Sequence, residues 1–208
     1  MTQVQQLKLY GSPLSGHCHR VELLLRMLGI PYEFIALSPE QRASEAFLKL
    51  NPLRQIPVLE DGDVVVADSV AIMVYLLKKY TPDTSWFPDD PITASQVQRW
   101  LSIAAGELAS GPNSARLMAV FGRPGHPDTI GQTSKRLLEF MDAHLKGRTY
   151  LVGDGPTIAD LACYAYVAHA PEGGIDLAPY PSVRAWLKNV EALPQFKPMP
   201  ASKPKVAA

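Results

Sequence analysis

The 208 residues carry twenty Lys plus Arg against twenty Asp plus Glu, so the overall charge gives no reason to expect nucleic acid or an anionic membrane as partner. With 47% apolar and 19% charged residues the chain can bury a core, which excludes the profile of a disordered protein. No apolar run is long enough to span a bilayer, the opening MTQVQQLKLYG lacks a secretory pattern, and Cys18 and Cys163 form no CxxC pair; a cytoplasmic protein with free thiols and no sulfur-rich metal site is expected.

In chain order, Leu7 and Leu9 predict a short strand ending at Gly11-Ser12-Pro13. Val21, Leu24, Leu25 and Leu28 then fall at helical spacing from about Gly16, and Gly29 with Pro31 stops the run. Tyr32-Glu33-Phe34-Ile35 reads as a second strand. A polar helix is expected from about Gln41, carrying Ala46, Phe47 and Leu50 up to Asn51-Pro52. The segments 57–60 and 64–66 flank Asp61-Gly62, a tight-turn signal for a hairpin. Asp68-Ser69 can cap the next helix, whose apolar positions include Val70, Met73, Leu76 and Leu77.

The proline-rich stretch that follows marks a boundary: an α/β domain over 1–80, a linker over 81–91 and a helical domain over 92–208. Beyond it, helical spacing dominates. Trp100, Leu101, Ala104 and Leu108 are followed by Leu117, Val120 and Phe121, with Gly111-Pro112 predicting a kink or two helices. A helix is expected over 129–145, stopped at Gly147. Thr157 and Asp160 have the spacing of a capping box ahead of Leu161, Tyr164 and Ala165. A last short helix covers 183–193, and the tail from Lys197 is expected to pack loosely.

No HExxH, Walker loop, GxSxG elbow, GxGxxG fingerprint or solenoid repeat is present, so chemistry must come from less explicit signals. Ser15 stands at a helix start, where free amides and the positive helix end favour an anion or thiolate; a plain N-cap is the alternative reading. Its hydroxyl suits donation to the sulfur of a bound thiol, whose reference pKa is about 8.5. Cys18, in the first helical turn, is the competing reactive group, against the commoner role of a buried inert thiol. His17 and His19 show no metal or triad spacing and read as surface or packing residues; Arg20 reads either as the partner of an acid or as solvated. A cis bond before Pro57 would turn the Ile56 backbone toward a peptide-like ligand, whereas a trans proline would simply start an edge strand. Asp68 and Ser69 suit the ammonium and carboxylate of an amino-acid-like group.

Taken in order, Leu9-Tyr10-Gly11-Ser12-Pro13-Leu14-Ser15, Asn51-Pro52-Leu53-Arg54-Gln55-Ile56-Pro57-Val58-Leu59, Asp68-Ser69 with Ala71-Ile72 and Tyr75-Leu76, and Thr157-Ile158-Ala159-Asp160-Leu161 resemble the cytosolic glutathione transferases, in particular bacterial serine-type members. The resemblance implies a thioredoxin-like N-terminal domain followed by an all-α domain, usually as a homodimer with the active site between domains. It further implies that Ser15 holds the glutathione thiolate, the Ile56 backbone pairs with the cysteinyl part, Asp68 and Ser69 hold the γ-glutamyl end, and Gln55 stands near the peptide backbone or the glycyl carboxylate. Glutathione would be co-substrate, with no metal. A hydrophobic electrophile would meet Leu14, Asn113, Arg116, Leu117, Val120, Phe121 and Tyr166, with core packing ranked first for Leu117 and Phe121, and Arg116 and Asn113 facing pocket or solvent. The expected reaction is conjugation of the thiolate to the electrophile. Disulfide or peroxide reduction at the same thiol site, and a catalytically silent binding or assembly protein, are the alternatives. Two departures stand out: Arg54 where many relatives carry glycine, and Asp68 where glutamate is common.

Overall fold

The computed structural model describes residues 6–81 and 84–202, so the opening Met1 to Gln5, Pro82 and Asp83 of the expected linker, and the tail beyond Ser202 lie outside the described residues. The chain divides into two compact units, one formed by Met1–Thr84 with Pro194–Met199, the other by Ser85–Leu193 with Pro200–Ala208.

The first unit is built on a four-stranded mixed sheet in the order β2-β1-β3-β4. Strands β1 (Leu7–Gly11) and β2 (Tyr32–Ala36) run parallel, while β3 (Val58–Asp61) is antiparallel to both β1 and β4 (Val64–Ala67). Helix α1 (Gly16–Met27) connects the parallel pair, and α4 (Ser69–Tyr80) follows the hairpin. Leu9, Val58 and Leu59 of the sheet, Val21, Leu24 and Leu25 of α1, and Ile72, Met73 and Leu76 of α4 are almost wholly removed from water and form the core. This is the thioredoxin-like arrangement that the resemblance implies.

One polar helix was expected after β2, but the chain makes two short ones, α2 (Pro39–Arg42) and α3 (Glu45–Leu50). Serine side chains account for the break. Ser38 forms a reciprocal capping box with Gln41, and Ser44 caps the Phe47 amide, so backbone donors are satisfied by side chains instead of by a continuous helix. The described part of the tail, up to Ser202, also differs from the loose packing expected. Residues of the returning segment bind α1: His19 Nε2 lies 2.7 Å from the Lys197 carbonyl, Arg26 Nε donates to the Gln195 carbonyl at 3.1 Å, and Lys197 pairs with Glu22 at 2.8 Å. Packing was one of the roles expected of His19, and it is buried here.

The second unit is helical. Helix α5 (Pro91–Ala105) leads through a π-helical turn, Ala109–Asn113, into α6 (Ser114–Phe121). Pro112 lies inside that turn, and its missing amide is the local reason the rod is interrupted where Gly111-Pro112 predicted a kink. Helix α7 (Pro127–Leu145) presents Leu137, Leu138, Met141 and Leu145 inward. Helix α8 (Ile158–Ala168) is buried from Ile158 to Val167, so it reads as hydrophobic all round, and α9 (Pro181–Glu191) adds Val183, Trp186 and Val190. The capping box of Thr157 and Asp160 forms as its spacing predicts. The 3-10 turn Ala170–Gly173 has no counterpart in the sequence reading. It sits against α6 at Gly173, where a Cβ would come within 2.7 Å of the Ala115 carbonyl carbon and the Arg116 nitrogen. Among the described residues, no helix is long and apolar enough to cross a membrane.

Candidate active site

The sheet register brings the singled-out segments of the first unit to one end. Tyr10 is paired with Val58, and Val58 with Ala67, so the chain just beyond this row carries Ser12 to Ser15 after β1, Ile56 and Pro57 before β3, and Asp68 and Ser69 after β4. Three sequence-distant segments therefore meet at the start of two helices, α1 and α4.

Ser15 is the N-cap of α1, in an extended conformation, and its half-buried side chain accepts the Cys18 amide at 3.4 Å. Its hydroxyl hydrogen can go to the Cys18 sulfur or turn to a bound acceptor, and the helix amides supply a positive field. Cys18 is different. It is 1% exposed, and burial pushes its thiol up to about 11, with hydrogen bonds from Ser15 and Ser12 offsetting only part of that rise. A buried thiol with a raised pKa is the inert kind.

The Ile56–Pro57 peptide bond is cis. Ahead of it, the buried Asn51 shapes the turn, donating from Nδ2 to the Gln55 carbonyl at 2.9 Å and accepting the Leu53 amide on Oδ1 at 3.1 Å. Gln55 itself is exposed and Ile56 half-buried. Arg54 is exposed with φ of 58°, in the left-handed region that glycine adopts at least cost, which gives its departure from glycine a conformational meaning.

Asp68 also has a positive φ, 78°, and caps α4 by accepting the Val70 and Ala71 amides on Oδ1 at 2.8 and 3.0 Å. A non-glycine residue held in this region is strained backbone of the kind that collects at functional sites. Ser69 beside it is buried. Its Oγ lies 3.4 Å from Arg20 Nη1 and 3.4 Å from His17 Nδ1, both on α1. Burial, followed by the charge of Arg20, lowers the His17 pKa to about 4, with Asp68 pulling the other way. His17 and Arg20 were not read as site residues, and Arg20 is 1% exposed instead of solvated. The available signal was periodicity: positions 17, 20, 21 and 24 share one helix face, so Arg20 lies on the stripe of Val21 and Leu24.

The residues assigned to an electrophile fall in both units. Leu14 is half-buried in the loop before α1. In the second unit, Arg116 was expected at a pocket or in solvent, but it is 1% exposed: Nε meets Glu172 Oε2 at 2.6 Å and Nη2 donates to Ser202 Oγ at 3.1 Å. The ion pair is why the charge tolerates burial. Asn113 is likewise buried, and Tyr166 and Val120 belong to the core. Leu117 is half-buried, and Phe121, ranked first as core, is 40% exposed with the Arg116 guanidinium over its ring at 5.5 Å. Two concavities in the second unit, of about 440 and 370 Å³, are lined by residues 146–149 with 153–154 and by Arg99, Ile103, Glu107, Arg136, Leu137 and Phe140; neither includes an assigned residue.

Comparison with known proteins joins the two halves of this description. Residues 9–84 match the glutathione S-transferase N-terminal domain and residues 129–194 the C-terminal domain. The chain is 32% identical over 198 residues to glutathione S-transferase theta-3 of Mus musculus, covering 89% of this chain and 82% of the relative. Among solved structures, a glutathione S-transferase from Xanthobacter autotrophicus Py2 superposes with a TM-score of 0.86 at 30% identity, covering 94% of this chain and 97% of the other. A glutathione transferase homolog from Drosophila mojavensis, solved with bound glutathione, gives 0.80 at 34% identity, with 91% and 89% covered. The chain thus belongs to the glutathione S-transferase family and is a transferase enzyme.

Proposed function

We propose that this enzyme is a serine-type member of its family that conjugates the glutathione thiolate to a hydrophobic electrophile. The observation that carries the proposal is the Ser15 hydroxyl at the positive end of the twelve-residue α1, half-buried and anchored to the Cys18 amide. In this reading Ser15 donates its hydrogen to the glutathione sulfur and holds it as thiolate. Each unit by which the thiol pKa falls corresponds to about 1.4 kcal/mol favouring the charged form. The glutathione-bound relative from Drosophila mojavensis supports the choice of thiol.

The remaining roles follow from chemistry at the same end of the sheet. The Ile56 backbone pairs with the cysteinyl part of glutathione, and Gln55 approaches the peptide. The Ser69 hydroxyl receives the γ-glutamyl carboxylate in the positive field at the start of α4, and the Asp68 carboxylate faces the ammonium. Thiolate attack on an activated aryl halide then forms the carbon–sulfur bond and expels halide, with no proton left to remove from the sulfur. The exposed Phe121 and half-buried Leu117 are the proposed apolar contacts of the electrophile.

Steady-state conjugation of glutathione to an activated aryl halide tests the proposal. Ser15→Ala is expected to lower kcat/KM by about 100-fold, the scale of losing one donor aimed at developing negative charge. An unchanged kcat/KM would reject the role of Ser15. Glutathione binding without turnover across several electrophile classes would favour a silent binding protein instead.

A further inference from the structure

The pair of α1 side chains on Ser69 belongs to none of the roles above. A guanidinium can only donate, so the 3.4 Å contact from Arg20 Nη1 commits a lone pair of Ser69 Oγ to acceptance. The serine has a single hydrogen to give. His17 Nδ1, also at 3.4 Å, can take it when nothing is bound, because the depressed His17 pKa keeps the imidazole neutral and able to accept. An arriving carboxylate is a stronger acceptor and can claim the same hydrogen. Arg20 is also among the largest fully buried side chains of the protein, so its charge acts on Ser69 from a region of low dielectric.

We propose that Arg20 is a positioning residue for the carboxylate received at Ser69: it holds the Ser69 oxygen as an acceptor, so that the single hydroxyl hydrogen is left for the carboxylate to claim, and it places a buried positive charge behind the incoming anion. The inference rests on the assignment of the γ-glutamyl carboxylate to Ser69. It gives α1 two tasks, since its start serves the sulfur through Ser15 and its next turn serves the other end of the same tripeptide through Arg20.

Calorimetric titration of the full chain tests this with two ligands, glutathione and γ-aminobutyryl-cysteinylglycine, which keeps the amine, thiol and glycyl carboxylate but lacks the γ-glutamyl carboxylate. The unmodified protein is expected to bind the analogue about tenfold or more weakly than glutathione, the scale of a charge-assisted hydrogen bond. Arg20→Met, which replaces the buried charge with an apolar chain, is expected to weaken glutathione about tenfold while moving the analogue less than about twofold. Arg20→Lys keeps charge but loses the planar fork and is expected to fall between, again only for glutathione. If Arg20→Met does not fold, judged by circular dichroism, Arg20→Lys decides by the same ligand-selective loss. Equal losses for both ligands, or none for glutathione, would overturn the role of Arg20 while leaving glutathione binding intact. Equal affinity of the unmodified protein for the two ligands would overturn the carboxylate assignment, and failure to bind either would overturn the proposed function with it.

Discussion

Ser15 and Cys18 stand three residues apart in the same helical turn, yet their surroundings send them to opposite roles. The Ser15 hydroxyl stays at the helix start, whereas the Cys18 sulfur packs beneath β1, where a Cβ on Gly11 would come within 2.7 Å of it. Ser12 donates its amide to that sulfur at 3.5 Å, and burial still dominates the thiol pKa. Cys163 is buried as well. Reaction of the native protein with a thiol-specific disulfide reagent near neutral pH is therefore expected to release almost no chromophore, with both thiols reacting once denaturant is added. One fast-reacting thiol in the native protein would contradict the inert reading of Cys18. At this scale Ser15 was legible because a cap is a local event, fixed by a hydroxyl just before a helical run. Arg20 was not, because its meaning depends on Ser69, forty-nine positions away, lying against the same helix face.

Among the elements, the turn into α8 carries the most concentrated polar burden. Asp160 is fully buried and accepts from the Leu151 amide, the Thr157 amide and Trp186 Nε1, each at 2.9 Å, and from the Thr157 hydroxyl at 3.3 Å. Asp160→Ala would strand several buried donors at once and is expected to cost about 3 kcal/mol or more in urea unfolding, since each unsatisfied buried group costs about 1–3 kcal/mol. A loss under about 1 kcal/mol would show that water satisfies these donors instead. The box itself was readable from Thr157 and Asp160, but nothing in the spacing disclosed that Leu151 and Trp186 share the carboxylate. The division of the expected helix from Gln41 into α2 and α3 was missed for a related reason: apolar spacing through Ala46, Phe47 and Leu50 describes a face and is blind to two serines that cap within it.

For the whole molecule, buried titratable groups set the response to acid. The unfolded chain protonates His17 below about 6.5, whereas the folded chain, with burial and Arg20 opposing the charge and Asp68 favouring it, resists until about 4. The unfolded state thus binds more protons in this window, so stability is full above pH 6.5 and declines as pH falls toward 4. In Asp61, burial is outweighed by donors from Lys79, Tyr80 and Tyr75; in Glu172, it is outweighed by the Ser202 amide, His169 and Arg116. Both carboxyls are held below their ordinary values, so their contribution is present above those values and lost as pH falls through the folded ones. Asp160 opposes them, because burial raises its pKa despite its donors. Thermal unfolding of unmodified protein is expected to show a midpoint falling between pH 6.5 and 4, and His17→Gln a shallower fall; identical slopes would remove His17 from the account. The division into an α/β and a helical part was legible in the change of hydrophobic period. The assignment of Pro194–Met199 to the first unit was not, because two of its contacts are backbone carbonyls that carry no side-chain signature and the third joins Lys197 to Glu22, 175 positions away.

The claim that Ser15 holds glutathione as thiolate is tested most directly by titrating the ultraviolet thiolate absorbance of bound glutathione against pH in the unmodified protein and in Ser15→Ala. The expected pKa lies below the free-thiol value of about 8.5 and returns toward it when the hydroxyl is removed; a depressed pKa that is unchanged in Ser15→Ala would contradict the role of Ser15.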